Sequence, residues 1–317
     1  TDAAGVAAPD AVTSASMGTT AASMYSGRGA SGQTPATGVN SPVAAAPART
    51  ITNVRLENGA TAVQTSVPFT FGQVFAAGDL AKGTALIGRF DNGETLPLQV
   101  DAKAFHPDGT VRHAIISGVI PTIAASQTRK MDLVTAGSAS AATGVTTAPL
   151  LNSGFSAAVS ATLNGVRYSA SADELIKAGK TSSWLAGASV NEWLVSAPLK
   201  TAGGVPHPHL TARFAVRWYD SAKKARVDVT VENNWAYEPA PSNFTYDAEV
   251  LVGGKSVYAK PALTHLHHAR WRKVFWQGAV NPDAVTVKHD VAYLIGTRAV
   301  ANYDQTLTVK EATLASL

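Results

Sequence analysis

From Ile51 onward the apolar residues come in short runs separated by turn-forming dipeptides. The runs are Val54 to Val63, Val67 to Val74, Thr84–Phe90, Leu96–Val100 and Val111–Ile120. Asn58-Gly59 interrupts the first, and Gly78-Asp79 follows the second. Asp91-Asn92-Gly93 and Pro107-Asp108-Gly109 separate the later ones. Asn-Gly and Asp-Gly between apolar runs are strong hairpin signals, and strands this dense predict a small barrel. Residues 125–155 are rich in small side chains and read as a strand followed by an inter-domain connection. From Phe155 the strands resume. Val227, Val229 and Val231 alternate with Asp228, Thr230 and Glu232, which predicts a strand with its valines on one buried face. Phe244, Tyr246, Ala248 and Val250 repeat that pattern, and the polar stretch Asp220 to Lys224 reads as the turn joining Leu210–Trp218 to Ala225–Glu232. Only Ala172–Ala178 reads as helix, with Ser171 or Ser169 as its cap. The expectation is an all-β chain: an extended arm over 1–49, a small barrel over 50–135 and a β-sandwich over 150–317.

Composition sharpens the first boundary. Residues 1–49 hold no Leu, Ile, Phe or Trp and only four charges, Asp2, Asp10, Arg28 and Arg49. Such a segment cannot bury enough apolar surface to offset its ordering entropy. It is expected to order only against neighbouring chains, as extended arms do in large assemblies. Across all 317 residues only 15% are charged and the net charge is +4, with Lys and Arg dispersed. No nucleic-acid partner is expected from that spread. The absence of cysteine excludes disulfide scaffolds, thiolate metal sites and cysteine nucleophiles. No run of 18 strongly apolar residues predicts a membrane-spanning helix. Thr1-Asp2-Ala3-Ala4 lacks the basic and Leu-rich regions of a signal peptide, and is consistent with cleavage of one or with loss of an initiator Met.

A set of short motifs adds a resemblance. Val67-Pro68-Phe69-Thr70-Phe71-Gly72 is followed by Leu96-Pro97-Leu98-Gln99-Val100 and then by His106-Pro107-Asp108-Gly109-Thr110-Val111-Arg112. This order resembles the N-terminal RIFT-type barrel of exo-rhamnogalacturonan-lyase-like proteins, where a P-F-T-F-G strand precedes a P-x-Q strand and a D-G-(S/T)-V-R turn. The segment Thr264 to Trp276 is similar to the one after that family's middle β-sandwich. The resemblance spans roughly 51–280 and implies a RIFT-type barrel followed by a sandwich. Family enzymes continue into a helical toroid that completes their cleft, and these 317 residues hold none. If 317 is the full length, the resemblance implies the fold rather than the lyase reaction. Similar modules in tailed-phage tail proteins carry Ala/Thr/Gly-rich N-termini, as this chain does.

Three groups of residues could carry chemistry. In a strand, His268, Arg270 and Arg272 would share one face, and with Tyr237 or Tyr258 they would supply the base and the cation that uronate β-elimination needs. The competing reading makes Trp271 and Trp276 core and the His and Arg residues the lining of a domain junction. His207-Pro208-His209 and His265-Leu266-His267 are i, i+2 pairs that could present imidazoles to a metal, a weak signal without an adjacent carboxylate. Trp218, Trp235 and Tyr237 border loops and could stack on a sugar, although Trp in an all-β domain is more often a core plug. Asp173-Glu174 sits at a helix start, where acids favour the dipole, and reads as structural.

The leading expectation is a structural, non-catalytic virion protein of a tailed phage, a tail, baseplate or fibre platform anchored by its arm. Its partners would be other virion proteins, further copies of itself and a host surface polysaccharide, with no cofactor. The alternative is a carbohydrate-active protein, lyase-like or sugar-binding, and its setting would be secreted.

Overall fold

The computed structural model describes residues 48–139, 146–234, 241–279 and 285–299. The chain is all-β, built on two barrel-like sheets. Nearly all of the low-complexity arm lies outside the described residues; its last residue, Arg49, donates its backbone N–H to Thr135 Oγ1 at 2.8 Å.

The first sheet takes β1 (Thr50–Asn58), β2 (Gln64–Val74), β3 (Thr84–Phe90), β4 (Thr95–Phe105), β5 (Val111–Ile123) and β6 (Thr128–Ser138). The turns Asp91-Asn92-Gly93 and Pro107-Asp108-Gly109 join β3 to β4 and β4 to β5 as antiparallel hairpins. In the second turn Gly109 adopts φ +83°, and Asp108 Oδ1 accepts from the N–H and the hydroxyl of Thr110. Asn58-Gly59 does not make a hairpin, because β1 pairs with β6 and β2 with β5. Buried Asn58 instead ties loops together, donating Nδ2 to the carbonyls of Ala62 and Ala124.

The second sheet follows a one-turn helix α1 (Ala148–Asn152), which the small-residue stretch concealed. Its strands are β7 (Ala157–Leu163), β8 (Val166–Ser171), β9 (Ser182–Leu185), β10 (Val190–Lys200), β11 (Pro206–Tyr219), β12 (Lys224–Asn233), β13 (Phe244–Val252), β14 (Lys255–His265) and β15 (Ala269–Gln277). The expected helix is α2 (Ala172–Lys177). Ser171 stands at its N-cap but bonds Asp173 Oδ1 rather than the backbone, and Asp173 also receives Lys177 Nζ at 3.0 Å. Asp173 is thus a structural carboxylate. The strand order is β14-β13-β7-β8-β10-β11-β12-β15, with β9 on β10. At the two ends of that order Tyr258 meets Trp271 at 5.9 Å and Lys273 Nζ lies 5.1 Å over the Tyr258 ring, so the sheet curls almost shut. Val227, Val229 and Val231 line its core, together with Phe214, Val216 and Trp218.

The expected sandwich boundary at 317 is corrected by the chain's return to the barrel. β16 (Val285–His289) pairs with β1, giving the order β16-β1-β6-β3-β4-β5-β2. His289 Nε2 then donates to Gly72 O at 2.7 Å and closes the gap to β2. The short helix α3 (Val291–Gly296) follows, capped by Asp290.

The two sheets meet through residues of the sequence motifs. Gln99 of β4 reaches the β9–β10 loop, donating to Val190 O at 2.8 Å and accepting from the N–H groups of Ser189 and Val190. Asp101 accepts from Ala186 N–H. Thr70 and Tyr219 share a hydroxyl bond of 2.8 Å. Around it Leu185, Val190, Tyr219 and Trp276 pack against Ile115 and Val119 of β5.

Candidate functional site

Strand alternation divides β10, β11, β12 and β15 into an inward apolar face and an outward polar one. The pairing register sets the outward side chains in rows. One row is Ser196, Arg213, Thr230 and Arg272; another is Glu192, Arg217, Arg226 and Trp276. Neighbours along a row stand about 5 Å apart between Cβ atoms. The carboxylates on this face are held by its arginines. Arg217 Nε donates to Glu192 at 2.6 Å, Arg213 Nε to Glu232, and Arg272 through Nε and Nη2 to Asp228. Asp228 and Glu232 are consequently buried at 8% exposure each, although they point outward, because guanidinium groups cover them.

A groove of about 700 Å³ runs over this face, lined by Lys180, Leu194, Arg213, Asp228, Arg270 and Arg272. That volume suits a small ligand or a short oligomer. Lys180 is brought to the rim by the end of α2, where Gly179 takes φ +69° and Lys180 N–H bonds Leu175 O. A second cavity of about 260 Å³ continues towards the barrel, where Thr70, Arg217, Tyr219, Arg272 and Trp276 meet Trp184. Arg272 lines both. Trp184 is 43% exposed, with Lys103 Nζ 4.4 Å from its ring centre and bonded to its carbonyl.

Sequence reasoning named two residues of this groove, Arg270 and Arg272. It missed Lys180 and Arg213 there, and Trp184 in the adjoining cavity. His268 does not join them. It lies before β15 in a turn at φ +59°, its N–H bonded to Asn233 O at 2.7 Å and its ring against exposed His267. The shared strand face expected for His268, Arg270 and Arg272 therefore holds only for the two arginines. Tyr258 packs on Trp271 at the seam of the second sheet, and Trp276 stacks on Tyr219 at 5.7 Å between the sheets. Of the cluster's His and Arg residues, Arg272 alone lines the cavity where the two sheets meet.

Trp218 is not available to a sugar. It is 2% exposed, in phase with Phe214 and Val216, and its Nε1–H bonds Asp220. Trp235 and Tyr237 lie outside the described residues.

The two His pairs are also apart in role. His207 is buried among Tyr168, His209 and Phe244, and its Nδ1 accepts from the N–H groups of His209 and Leu210. Burial, helped by the nearby His209, pushes its pKa down to about 4. His265 has both nitrogens engaged. Nε2 donates to Ala269 O, so Nδ1 accepts from the Tyr246 hydroxyl, which in turn accepts Trp271 Nε1–H. Burial lowers the His265 pKa and pushes Tyr246 up to about 12. His267 instead points outward to Asn243. His265 and His267 do not share a strand face because β14 ends at His265, whereas His207 and His209 both lie on β11 with ring centres 6.2 Å apart. Among the described residues no three His, Asp or Glu side chains cluster as a metal site. No helix among them is long and apolar enough to cross a membrane.

Compared with known protein families and with curated proteins, the chain matches none.

Proposed function

We propose that this chain is a rigid, non-catalytic platform that binds a surface polysaccharide, the adaptor part of a tailed-phage tail, baseplate or fibre. The observation carrying the reading is the groove over β10, β11, β12 and β15, where rows of guanidinium groups run towards the exposed ring of Trp184. An indole offers an apolar face to a pyranose, and arginine offers paired donors to its hydroxyls and acidic groups. Binding is favoured over cleavage by how the groove's bases are employed. Asp228 lines the groove with Glu192 and Glu232 buried on the same sheet face, and each is already paired with an arginine. The assembly half of the reading rests on the composition of residues 1–49 and on the motif resemblance to phage tail modules.

The test is retention of the full chain on immobilised bacterial surface polysaccharides, acidic and neutral, with the eluate assayed for unsaturated uronate ends. The expected result is retention without cleavage products, weakened severalfold by Trp184→Ala. Unsaturated ends would make the protein a lyase, and no retention on any glycan would overturn the binding reading.

A further inference from the structure

The charge pattern of the groove selects among the acidic groups a glycan can carry. Arg272 is neutralised by Asp228 and Arg213 by Glu232, which leaves two ion pairs on the floor. Lys180 and Arg270 also line the groove, and among the described residues neither side chain has an ion-pair or hydrogen-bond partner. Arg213 is engaged only through Nε, so its two terminal nitrogens have no partner among the described residues. Among the described residues the lining therefore carries a surplus of two positive charges, and Lys180, Arg270 and Arg213 keep N–H donors to offer.

The arrangement is also pre-set. Arg213, Thr230 and Arg272 stand directly opposite one another on three adjacent strands, placing a hydroxyl between two guanidinium groups. Their carboxylate partners lie buried beneath and fix each guanidinium, so little side-chain freedom is lost when a ligand arrives. Arg270, one pair further along β15, and Lys180 on the rim supply the unbalanced charge.

We infer that this groove takes a phosphomonoester carried on a sugar, with Arg270 and Lys180 balancing its charge and Arg213, Thr230 and Arg272 meeting its oxygens. A phosphomonoester carries about −1.5 to −2 charges near neutral pH and three acceptor oxygens, which matches both the surplus and the spread of donors. A uronate or a sulfate ester carries one charge and would leave a cation unbalanced in the site. The inference rests on the glycan-binding reading and specifies its ligand.

Calorimetric titration of the full chain at constant ionic strength tests it, with glucose 6-phosphate, glucose 6-sulfate, glucuronate, glucose and inorganic phosphate as probes. Glucose 6-phosphate is expected to bind at least about tenfold more tightly than each of the others, the difference one charged hydrogen-bonding group makes. Arg270→Ala and Lys180→Ala should each remove about that factor, while Lys260→Ala on β14 leaves binding unchanged. Both cations are exposed, so unchanged thermal melting of the variants will show that the fold survives. Equal binding of glucuronate or of the sulfate ester would overturn the phosphomonoester assignment and leave the glycan reading standing. Inorganic phosphate binding as tightly as the sugar phosphate would overturn the sugar-borne part. Binding of none of the probes, together with no retention on polysaccharide, would overturn both.

Discussion

His207 is the side chain at which acid should first be felt. In the fold its Nδ1 accepts two backbone N–H groups, an arrangement open only to the neutral ring, and burial holds its pKa at about 4. In the unfolded chain an imidazole titrates near ~6.5. The folded value is the lower one, so the stabilisation is complete above the unfolded pKa and is lost as pH falls from about 6.5 towards 4. His265, also depressed by burial, acts in the same direction. Thermal melts between about pH 7.5 and 4 should show a steep fall in Tm that is shallower in His207→Gln; parallel slopes would show that this imidazole does not govern it. At this scale legibility followed alternation. The buried position of Trp218 was readable from its phase with Leu210, Ala212, Phe214 and Val216. Trp184 was harder to find, because β9 has only four residues and no alternation to set its phase. The arginine pairs were invisible, since Arg213 reaches Glu232 and Arg272 reaches Asp228 diagonally across strand registers that no local pattern encodes.

Among the elements, the returning strap is the one whose placement sequence could not give. β16 pairs Val54 with His289 and Asn58 with Val285, partners more than two hundred residues apart. A strand of five residues carries no sign of which sheet it completes, and the motifs earlier in the chain had already filled a barrel. The hairpins β3–β4, β4–β5 and β11–β12 were readable because their turns lie between their own strands. The strap is fastened at its far end by α3, where Tyr293 donates its hydroxyl to Asp79 at 2.6 Å and accepts from Ala76 N–H. Arg49 bonds the same Asp79, so both ends of the described chain hold one loop. Tyr293→Phe removes both hydroxyl bonds and should cost about 1–2 kcal/mol. Because β16 covers the edge of β1, amide exchange should quicken over 285–299 and over β1, while β7–β15 keep their protection. Uniform quickening over the whole chain would mean that the strap is not a separable element.

For the whole molecule, the same motif residues that signal the barrel turn out to join it to the second sheet. Phe69 and Phe71 enter the barrel core, but Thr70 between them faces Tyr219, and Gln99 faces the β9–β10 loop. The pattern was legible and its docking role was not, because a polar residue facing out of one sheet is indistinguishable in sequence from one facing water. The junction also shapes the groove, since Trp184 and Arg217 keep their places beside the barrel only while β9 and β10 stay docked. Gln99 is the centre of this contact, with its amide bonded to Asp101, Ser189 and Val190. Gly187 permits its approach, for a Cβ there would stand 2.2 Å from Gln99 Cδ. Gln99→Ala deletes the bonds and Gly187→Ala displaces the amide that makes them, so both should weaken the coupling by about 2–4 kcal/mol. The two sheets have separate cores, and loosening their junction should let them melt apart. Calorimetry should then resolve the single transition of the native chain into two, and scattering should report a larger radius below the first. The double variant should be no worse than either single one, since both act on one contact. A single transition at unchanged Tm in both variants would place the coupling elsewhere, in the apolar cluster around Tyr219 and Trp276.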